Sequence, residues 1–180
     1  MVMKEKKLQI CRTHINHLKV NTAYLLLGGN IGKVEETLGK ARVLINGVAG
    51  HITASSSIYK SVPWGFQSND LFFNQALEIS TIMHPFDLLS TLLDMEMALG
   101  RQSTKTGYES RVIDIDILFY ENLILYQKGL EVPHPRLHLR RFALLPLAEI
   151  AQNFIHPIFN ASIIDLLQVC PDQSEVEKVV

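Results

Sequence analysis

The segment from Arg111 to Phe119 constrains the fold more than any other stretch, because apolar and acidic residues alternate along it. In a β-strand, successive side chains point to opposite faces of the sheet. The alternation therefore predicts a strand whose core-facing residues are Ile113, Ile115, Ile117 and Phe119. Asp114 and Asp116 are predicted to lie side by side on the opposite face.

The two carboxylates of this strand suggest a cation site. Carboxylates at positions i and i+2 repel each other unless a cation lies between them. Mg²⁺ commonly binds one or two carboxylates together with substrate phosphates. Arg111, three residues before Asp114, is placed to contact a phosphate through paired hydrogen bonds. The pattern is equally compatible with a surface strand whose exposed face carries two acids.

The composition is that of an ordinary globular protein, with 180 residues of which 47% are hydrophobic and 19% are charged. This length suits one domain with a core of its own. Residues 1–20 are polar and basic without a periodic pattern. We therefore predict a flexible N-terminal extension over residues 1–20 and a single domain over residues 21–180.

Charge and cysteine content narrow the choice of partners and compartment. The net charge of −1 gives no bulk attraction to nucleic acid or to an anionic membrane. Cys11 and Cys170 lie far apart and predict neither a disulfide framework nor a metal site, as is typical of the reducing cytosol. No apolar run approaches the ~20 residues that span a bilayer, and no signal-peptide core follows Lys4, Lys6 and Lys7. We expect a cytoplasmic protein that binds neither nucleic acid nor membrane.

Local patterns predict strands and helices in alternation along the chain. Further strands are predicted at residues 23–27, 51–61, 71–82 and 123–126, and helices at residues 34–46, 85–99 and in a short segment from Leu139 that Pro146 interrupts. Gly47 and Gly100 are the predicted ends of the first two helices. Ser162 and Asp165 predict a capping box at the start of a last short helix.

The strand at residues 71–82 has two different faces. Phe73, Leu77 and Ile79 are predicted to face the core, whereas Phe72 and Asn74 share the opposite face. An aromatic ring beside a carboxamide suits a flat heterocycle, because the ring can stack and the amide offers one donor and one acceptor group. An exposed phenylalanine beside an ordinary asparagine explains this strand equally well.

Two loops and two single residues complete the candidate features. The loop at residues 62–70 carries Trp64, which indicates a loop packed on the body or a lid over a ligand. A polar loop at residues 100–110 leads directly into Arg111. Glu96 borders an apolar helix stripe and requires a partner, either a ligand amino group or an arginine. His134, taken by itself, is a surface histidine between two prolines.

Several motifs then occur in one order along the chain. They are Leu27-Gly28-Gly29-Asn30-Ile31-Gly32, Tyr59-x-Ser61-x-Pro63-x-Gly65, Phe72-x-Asn74, Glu96-x-x-x-Gly100-Arg101, Arg111-x-Ile113-Asp114-x-Asp116-Ile117-Leu118, Val132-Pro133-His134-Pro135 and Arg140-x-Phe142. Together they closely resemble the 6-hydroxymethyl-7,8-dihydropterin pyrophosphokinases of folate biosynthesis, over residues 22–157. The Asp-x-Asp strand followed by Pro-His is the specific part of this resemblance.

The resemblance implies a ferredoxin-like α+β fold, an antiparallel sheet covered by helices, in a monomeric enzyme. It also implies transfer of the β,γ-pyrophosphoryl unit of ATP to the pterin hydroxymethyl group, with release of AMP. Two Mg²⁺ ions are expected to bridge the triphosphate. Loops 62–71 and 101–111 are expected to close over the substrates as lids.

The same resemblance assigns roles to individual residues. Catalytic roles fall to Asp114 and Asp116, which are also the metal ligands, and to Arg101 and Arg111. The residues expected to contact ATP are Glu96, Lys105, Arg111, Ile117, His134 and Arg140. Those expected to form the pterin pocket are Ser61, Pro63, Trp64, Phe72, Asn74 and Phe142, with the two phenylalanines stacking on either side of the ring.

This chain departs from the usual family pattern at four places. Tyr108-Glu109-Ser110 replaces Trp-Gly-Pro before the arginine, and Ser103, Leu93 and Gly129 replace an arginine, a glutamine and an arginine. Lys105 is expected to supply the charge lost at Ser103. These changes predict an altered rate and nucleotide affinity rather than a different reaction.

Three other classes of protein are weighed against this interpretation. A non-catalytic pterin- or nucleotide-binding homologue would not need the Asp114–Asp116 pair. A kinase that transfers one phosphoryl group would usually carry a Walker loop, and the sequence has none. A ferredoxin-like nucleic-acid-binding domain would need a basic sheet surface, which the net charge of −1 does not support.

Overall fold

The strands and helices follow the predicted alternation in a computed structural model that describes residues 19–65, 70–101 and 110–179. The strands are β1 (Asn21–Gly29), β2 (His51–Ser55), β3 (Tyr59–Ser61), β4 (Phe72–Thr81), β5 (Asp114–Tyr120), β6 (Leu125–Gln127), β7 (Leu130–Val132) and β8 (Val176–Lys178). The α-helices are α1 (Val34–Leu44), α2 (Pro85–Ala98), α3 (Arg141–Ala151) and α4 (Ile163–Gln168), with a π-helical turn at Ile45–Ala49 and a 3-10 turn at Leu137–Leu139.

Among the described residues, six strands form the central sheet, and all of their pairings are antiparallel. Its order is β5-β1-β4-β3-β8, and β2 pairs with β4 beside β3. In this register Gly28 of β1 lies opposite Asn74 on one side and Asp114 on the other. The sheet thus brings together two sequence motifs that lie about forty residues apart in the chain. A separate two-stranded sheet joins β6 to β7.

Each face of the central sheet carries its own core. On the first face, residues such as Leu25, Leu77 and Ile115 pack against α1 and α2. On the second face, Leu26 and Ala76 pack against α3 and α4. Helices therefore cover both faces, and a central strand with a continuous apolar run can bury its side chains on both sides of the sheet. This explains why β1 is buried over most of its length.

The second core corrects two of our predictions about the strands. Phe119 does not share a face with Ile115 and Ile117, because a β-bulge shifts the register between β1 and β5, and Phe119 lies in the second core. A bulge adds one residue to one strand and so reverses the alternation beyond it. The face of β4 opposite Leu77 is also not free of core contacts, since Ala76 is fully buried there.

The helices also differ from prediction in detail. The first does not end at Gly47, because a π-helical turn continues it to Ala49. Pro146 does not interrupt α3 but lies buried inside it. A proline removes one intrahelical hydrogen bond, and here the packing of neighbouring α3 residues in the second core keeps the helix intact. Leu93 of α2 is 45% exposed, although its helical spacing from the neighbouring leucines predicts a position on their apolar stripe.

Other predicted features are confirmed. Pro85 begins α2, Gly100 follows its end with a positive φ of 100°, and Ser162 forms a capping box with Asp165. The last strand pair begins at Leu125, two residues later than predicted. Residues 1–18 lie outside the described residues, so the N-terminal extension stays a prediction.

Candidate active site

A cavity of about 400 Å³ opens on the second face of the sheet, next to the N-terminal end of α3. Strands β1, β3, β4 and β5 form its floor, and the segment from His134 to Phe142 forms one wall. The lining residues are Leu26, Gly28, Ser61, Val62, Trp64, Phe72, Asn74, Arg101, Arg111, Asp114, Asp116, His134, Arg136, Arg140 and Phe142. Acidic, basic and aromatic side chains therefore share one cavity.

The glycines at the end of β1 permit this close packing. A Cβ atom on Gly28 would lie 2.9 Å from Asn74 Oδ1, and one on Gly29 would lie 2.5 Å from the carbonyl oxygen of Val112. Both distances are shorter than van der Waals contact, so a side chain at Gly28 would displace the Asn74 amide and one at Gly29 would clash with the backbone before β5. Close approach of the chain to itself thus explains the two glycines at the end of β1.

Asp114 is paired with two arginines. Its Oδ2 atom accepts a hydrogen bond from Arg111 at 2.7 Å, and its Oδ1 atom lies 2.9 Å from Nη1 of Arg101. Arg101 also forms an ion pair with Glu96. The guanidinium groups therefore balance the charge of Asp114 and present N–H donors at the cavity, where they could also bind an anion.

Glu96 supports the Arg101–Asp114 ion pair from the protein interior. Its side chain is buried, and its Oε1 atom accepts a hydrogen bond from the backbone N–H of Ile115 at 2.5 Å. Burial, together with the charge of Asp114, raises the pKa of Glu96 to about 7, although the hydrogen bond from Ile115 and the charge of Arg101 act in the opposite direction. Of the two partners expected for this acid, the arginine is confirmed.

Asp116 lies on the same face as Asp114. Burial and the charge of Asp114 raise the pKa of Asp116 above its ordinary value, although Arg140, Arg111 and Arg101 act in the opposite direction. Arg140 Nη1 lies 4.0 Å from Asp116 Oδ2. Burial is thus the main reason that the charged form of Asp116 is disfavoured, and the neighbouring charge of Asp114 adds to the effect.

The opposite side of the cavity is aromatic. The rings of Trp64 and Phe142 lie 6.5 Å apart between centroids, and the guanidinium carbon of Arg140 lies 5.0 Å from the Trp64 centroid. Phe72 reaches the cavity from β4. This wall can stack on a flat ring and presents a cation beside it.

Two buried polar atoms at this aromatic side have no hydrogen-bond partner among the described residues. They are Nδ2 of Asn74, whose residue is 2% exposed, and Oγ of Ser61. Buried polar groups are nearly always satisfied in folded proteins. Two such atoms in residues beside one cavity make it a candidate ligand site.

His134 enters the cavity as a neutral ring. Burial and the charges of Arg140 and Arg136 lower the pKa of His134 to about 4. Its Nδ1 atom accepts a hydrogen bond from the backbone N–H of Arg136 at 3.2 Å, which fixes the ring orientation. The interpretation of His134 as an isolated surface residue is therefore wrong.

The structure brings together most of the predicted site residues, but not all. Pro63, Glu96 and Ile117 do not line the cavity, and the Ile117 side chain is buried in the first core. Lys105 lies outside the described residues, as does most of the predicted lid at residues 101–111. The individual roles of the residues stay predictions.

Sequence reasoning missed four lining residues, namely Leu26, Gly28, Val62 and Arg136. The signal for Arg136 was available, because it follows the Pro-His-Pro segment directly.

In the ranges that the structure describes, no three His, Cys, Asp or Glu side chains converge as a metal site. Nor does any helix within those ranges have the length and apolar character needed to cross a membrane.

Comparison with known proteins agrees with this geometry. Residues 24–152 match the family model described as 7,8-dihydro-6-hydroxymethylpterin-pyrophosphokinase (HPPK). The chain belongs to this family. All the cavity-lining residues of this HPPK-family protein lie within the matched range, whereas α4 and β8 lie outside it.

Relatives from distant organisms share this similarity. The 2-amino-4-hydroxy-6-hydroxymethyldihydropteridine pyrophosphokinase of Bacillus subtilis is 41% identical over 134 residues, which cover 74% of this chain and 80% of that protein. The Dictyostelium discoideum folic acid synthesis protein FOL1 is 41% identical over 142 residues, which cover 78% of this chain but 21% of that protein.

Solved structures show the same fold. A crystal structure of Plasmodium falciparum HPPK-DHPS superimposes with a TM-score of 0.70 at 17% identity, covering 83% of this chain and 43% of that chain. The present chain therefore spans less than half of that solved chain and about a fifth of the Dictyostelium protein.

Proposed function

We propose that this protein transfers the β,γ-pyrophosphoryl group of ATP to the hydroxymethyl group of 6-hydroxymethyl-7,8-dihydropterin, giving AMP and the pterin diphosphate. One observation carries the proposal. A carboxylate pair with its arginines and an aromatic pocket with unsatisfied polar atoms share one cavity of about 400 Å³. Family membership and the names of the relatives support the same reaction.

The aromatic side of the cavity suits the pterin. Phe72 and Phe142 are proposed to stack on the two sides of the ring, with Trp64 closing the edge of the pocket. The Nδ2 atom of Asn74 and Oγ of Ser61 would gain partners from the ring edge. A pterin offers both hydrogen-bond donors and acceptors along that edge. An amide and a hydroxyl complement such an edge, because each can donate and accept hydrogen bonds.

The charged side suits Mg-ATP. Asp114 and Asp116 fit Mg²⁺ because they are hard oxygen donors on one face of a strand, and two carboxylates leave coordination positions for phosphate oxygens. We propose two ions. When bound, they neutralise the triphosphate and lower the barrier to attack at phosphorus.

The residues themselves contribute positioning and charge. We propose that Arg101 and Arg111 exchange Asp114 for phosphate oxygens when the nucleotide enters, while Glu96 keeps Arg101 at the cavity. Arg140 and the neutral His134 bind the far side of the triphosphate. An alcohol that attacks phosphorus depends mainly on alignment and charge neutralisation, so these contacts account for most of the catalysis.

We also propose that the fold is ferredoxin-like. The support is the strand order. If β2 and β3 are taken as one interrupted strand, the elements from β1 to β5 run β-α-β-β-α-β, and the order in the sheet is fourth, first, third, second. We also propose a monomer, as expected from the sequence.

The competing proposal is a pterin- or nucleotide-binding homologue without activity. Such a protein would need the pocket but not the Asp114–Asp116 pair. The test incubates the protein with Mg-ATP and 6-hydroxymethyl-7,8-dihydropterin and determines the pterin product by mass spectrometry. We expect a pterin that has gained one diphosphate. The matched control is 6-methyl-7,8-dihydropterin, which lacks the hydroxyl and should bind without being modified. Binding of both pterins with modification of neither would favour the inactive homologue.

A further inference from the structure

The C-terminal segment, residues 171–179, lies outside the range that matches the HPPK family model, which ends at residue 152. It nevertheless contacts two elements that carry cavity residues. One is α3, whose first turn holds Phe142, and the other is β3, which ends at Ser61. The segment therefore contacts both α3 and β3, the two elements that contribute Phe142 and Ser61 to the cavity.

Asp172 provides the contact with α3. Its Oδ2 atom accepts a hydrogen bond from the backbone N–H of Arg141, the first residue of that helix, at 3.0 Å. The N-cap residue of α3, Arg140, provides no side-chain cap. The first N–H groups of a helix have no partner within the helix, and an acid at this end also interacts favourably with the helix dipole. Asp172 thus caps α3 from a distant part of the chain.

The Asp172 carboxylate is itself held in place. Its Oδ1 atom accepts hydrogen bonds from the backbone N–H of Ser174 at 3.0 Å and from the Ser174 hydroxyl at 2.6 Å. Both carboxylate oxygens are therefore used as acceptors, one locally and one on α3. An asparagine could satisfy only one of these two positions.

Strand β8 provides the contact with β3. Val176 pairs with Ser61, Lys60 forms an ion pair with Glu177 at 2.6 Å, and the N–H of Val179 donates to the carbonyl of Ile58. From the same strand, Lys178 Nζ lies 3.2 Å from Oε1 of Glu149 on α3. The segment therefore links β3 to both ends of α3.

We propose that the C-terminal segment is a positioning element of the pterin pocket, in which Asp172 fixes the first turn of α3 and, through it, the Phe142 ring. This inference rests on the proposed pterin role of the pocket. Asp172 is a positioning residue, because it reaches the pocket only through Arg141 and Phe142. Loss of the cap frees the first turn, so the ring must be ordered again each time the pterin binds.

The test compares two helix caps from the same region of the chain. Asp172→Ala removes the cap of α3, and Ser162→Ala removes the cap of α4, a helix with no residue in the cavity. Both substitutions should lower the Tm by a similar amount. The pterin Kd is measured with Mg²⁺ and a non-transferable ATP analogue present. The Kd of the analogue is measured separately.

We expect Asp172→Ala to raise the pterin Kd about fivefold, the effect of losing one helix cap, while the Kd of the analogue stays nearly unchanged. Ser162→Ala should leave both constants unchanged. In a Phe142→Ala background, Asp172→Ala should have no further effect on pterin binding, because the ring through which it acts is gone.

Three results would overturn the inference: an unchanged pterin Kd in Asp172→Ala, an equal increase in Ser162→Ala, or a further fivefold loss in the Phe142→Ala background. If Phe142→Ala weakens pterin binding and Asp172→Ala does not, the pterin pocket is supported and the positioning role of the C-terminal segment is refuted. If Phe142→Ala itself has no effect, the pocket assignment is refuted, and so is the inference that rests on it.

Discussion

Replacing Asn74 with leucine should reduce pterin affinity without lowering the free energy of unfolding. Asn74 is 2% exposed, and its Nδ2 atom has no hydrogen-bond partner among the described residues. An unsatisfied buried donor costs ~1–3 kcal/mol of stability. Leucine has a similar shape and no polar atom, so Asn74→Leu should leave the free energy of unfolding unchanged or raise it by up to ~2 kcal/mol.

The same substitution removes the amide that is proposed to read the pterin edge. We expect the pterin Kd to rise about 30-fold, corresponding to ~2 kcal/mol of lost hydrogen bonding. Stability is measured by urea denaturation, and pterin affinity by calorimetry with Mg²⁺ and a non-transferable ATP analogue present.

The neighbouring residue Gln75 offers a matched control. It is equally buried but lies on the opposite face of β4, where its Nε2 atom donates to the carbonyl of Ser56 at 2.7 Å. Its Oε1 atom, like Nδ2 of Asn74, has no hydrogen-bond partner among the described residues, so Gln75→Leu removes one unsatisfied atom and one hydrogen bond. The free energy of unfolding should therefore change by no more than ~1 kcal/mol, and pterin affinity should stay unchanged. If Asn74→Leu instead destabilises the protein by more than Gln75→Leu does and pterin affinity is retained, the amide has a structural role and the reasoning is refuted.

Three further predictions follow from the site and the fold. Asp114→Asn or Asp116→Asn should retain the circular dichroism spectrum of the parent and lower kcat at least about a hundredfold; near-normal turnover at ordinary Mg²⁺ would exclude the metal role. Phe142→Ala should weaken pterin binding far more than ATP binding in calorimetric titrations, and equal losses for both ligands would argue against stacking. Burial and the nearby His138 lower the pKa of His156 to about 4, and its Nδ1 atom accepts from the N–H of Ile158 at 3.2 Å. Because the pKa of His156 is lower in the folded protein than its ordinary value, protonation of His156 favours unfolding. The contribution of His156 to the free energy of unfolding is therefore complete above pH ~6.5, and up to ~3 kcal/mol should be lost as the pH falls toward 4. Urea denaturation at several pH values should show a shallower dependence in His156→Gln, and identical curves would contradict the prediction.

The sequence was sufficient to predict the site where local alternation determines which way a side chain points. Asp114, Asp116, Phe72 and Asn74 lie on the predicted face of their strands and meet in one cavity. Gly28 lies between Asn74 and Asp114 in the sheet, and the absence of a side chain there leaves room for the Asn74 amide. The motif that contains Gly28 could be read from the sequence, but its strand partners could not.

Features that depend on the packing of distant segments were not predictable. The β-bulge that turns Phe119 to the second face is set by the pairing of β5 with β1. Pro146 stays inside α3 because its neighbours are buried in the second core. The sequence left open whether Glu96 pairs with an arginine or with a ligand. The fold shows that it pairs with Arg101.

The central claim is pyrophosphoryl transfer from ATP to the pterin in this cavity, and the nucleotide product tests it most directly. Purified protein is mixed with Mg-ATP, with and without 6-hydroxymethyl-7,8-dihydropterin, and the nucleotides are separated by ion-exchange chromatography. We expect AMP to form only with the pterin, in equal amount to the pterin consumed. Formation of ADP, or of AMP at the same rate without the pterin, would contradict the proposed reaction.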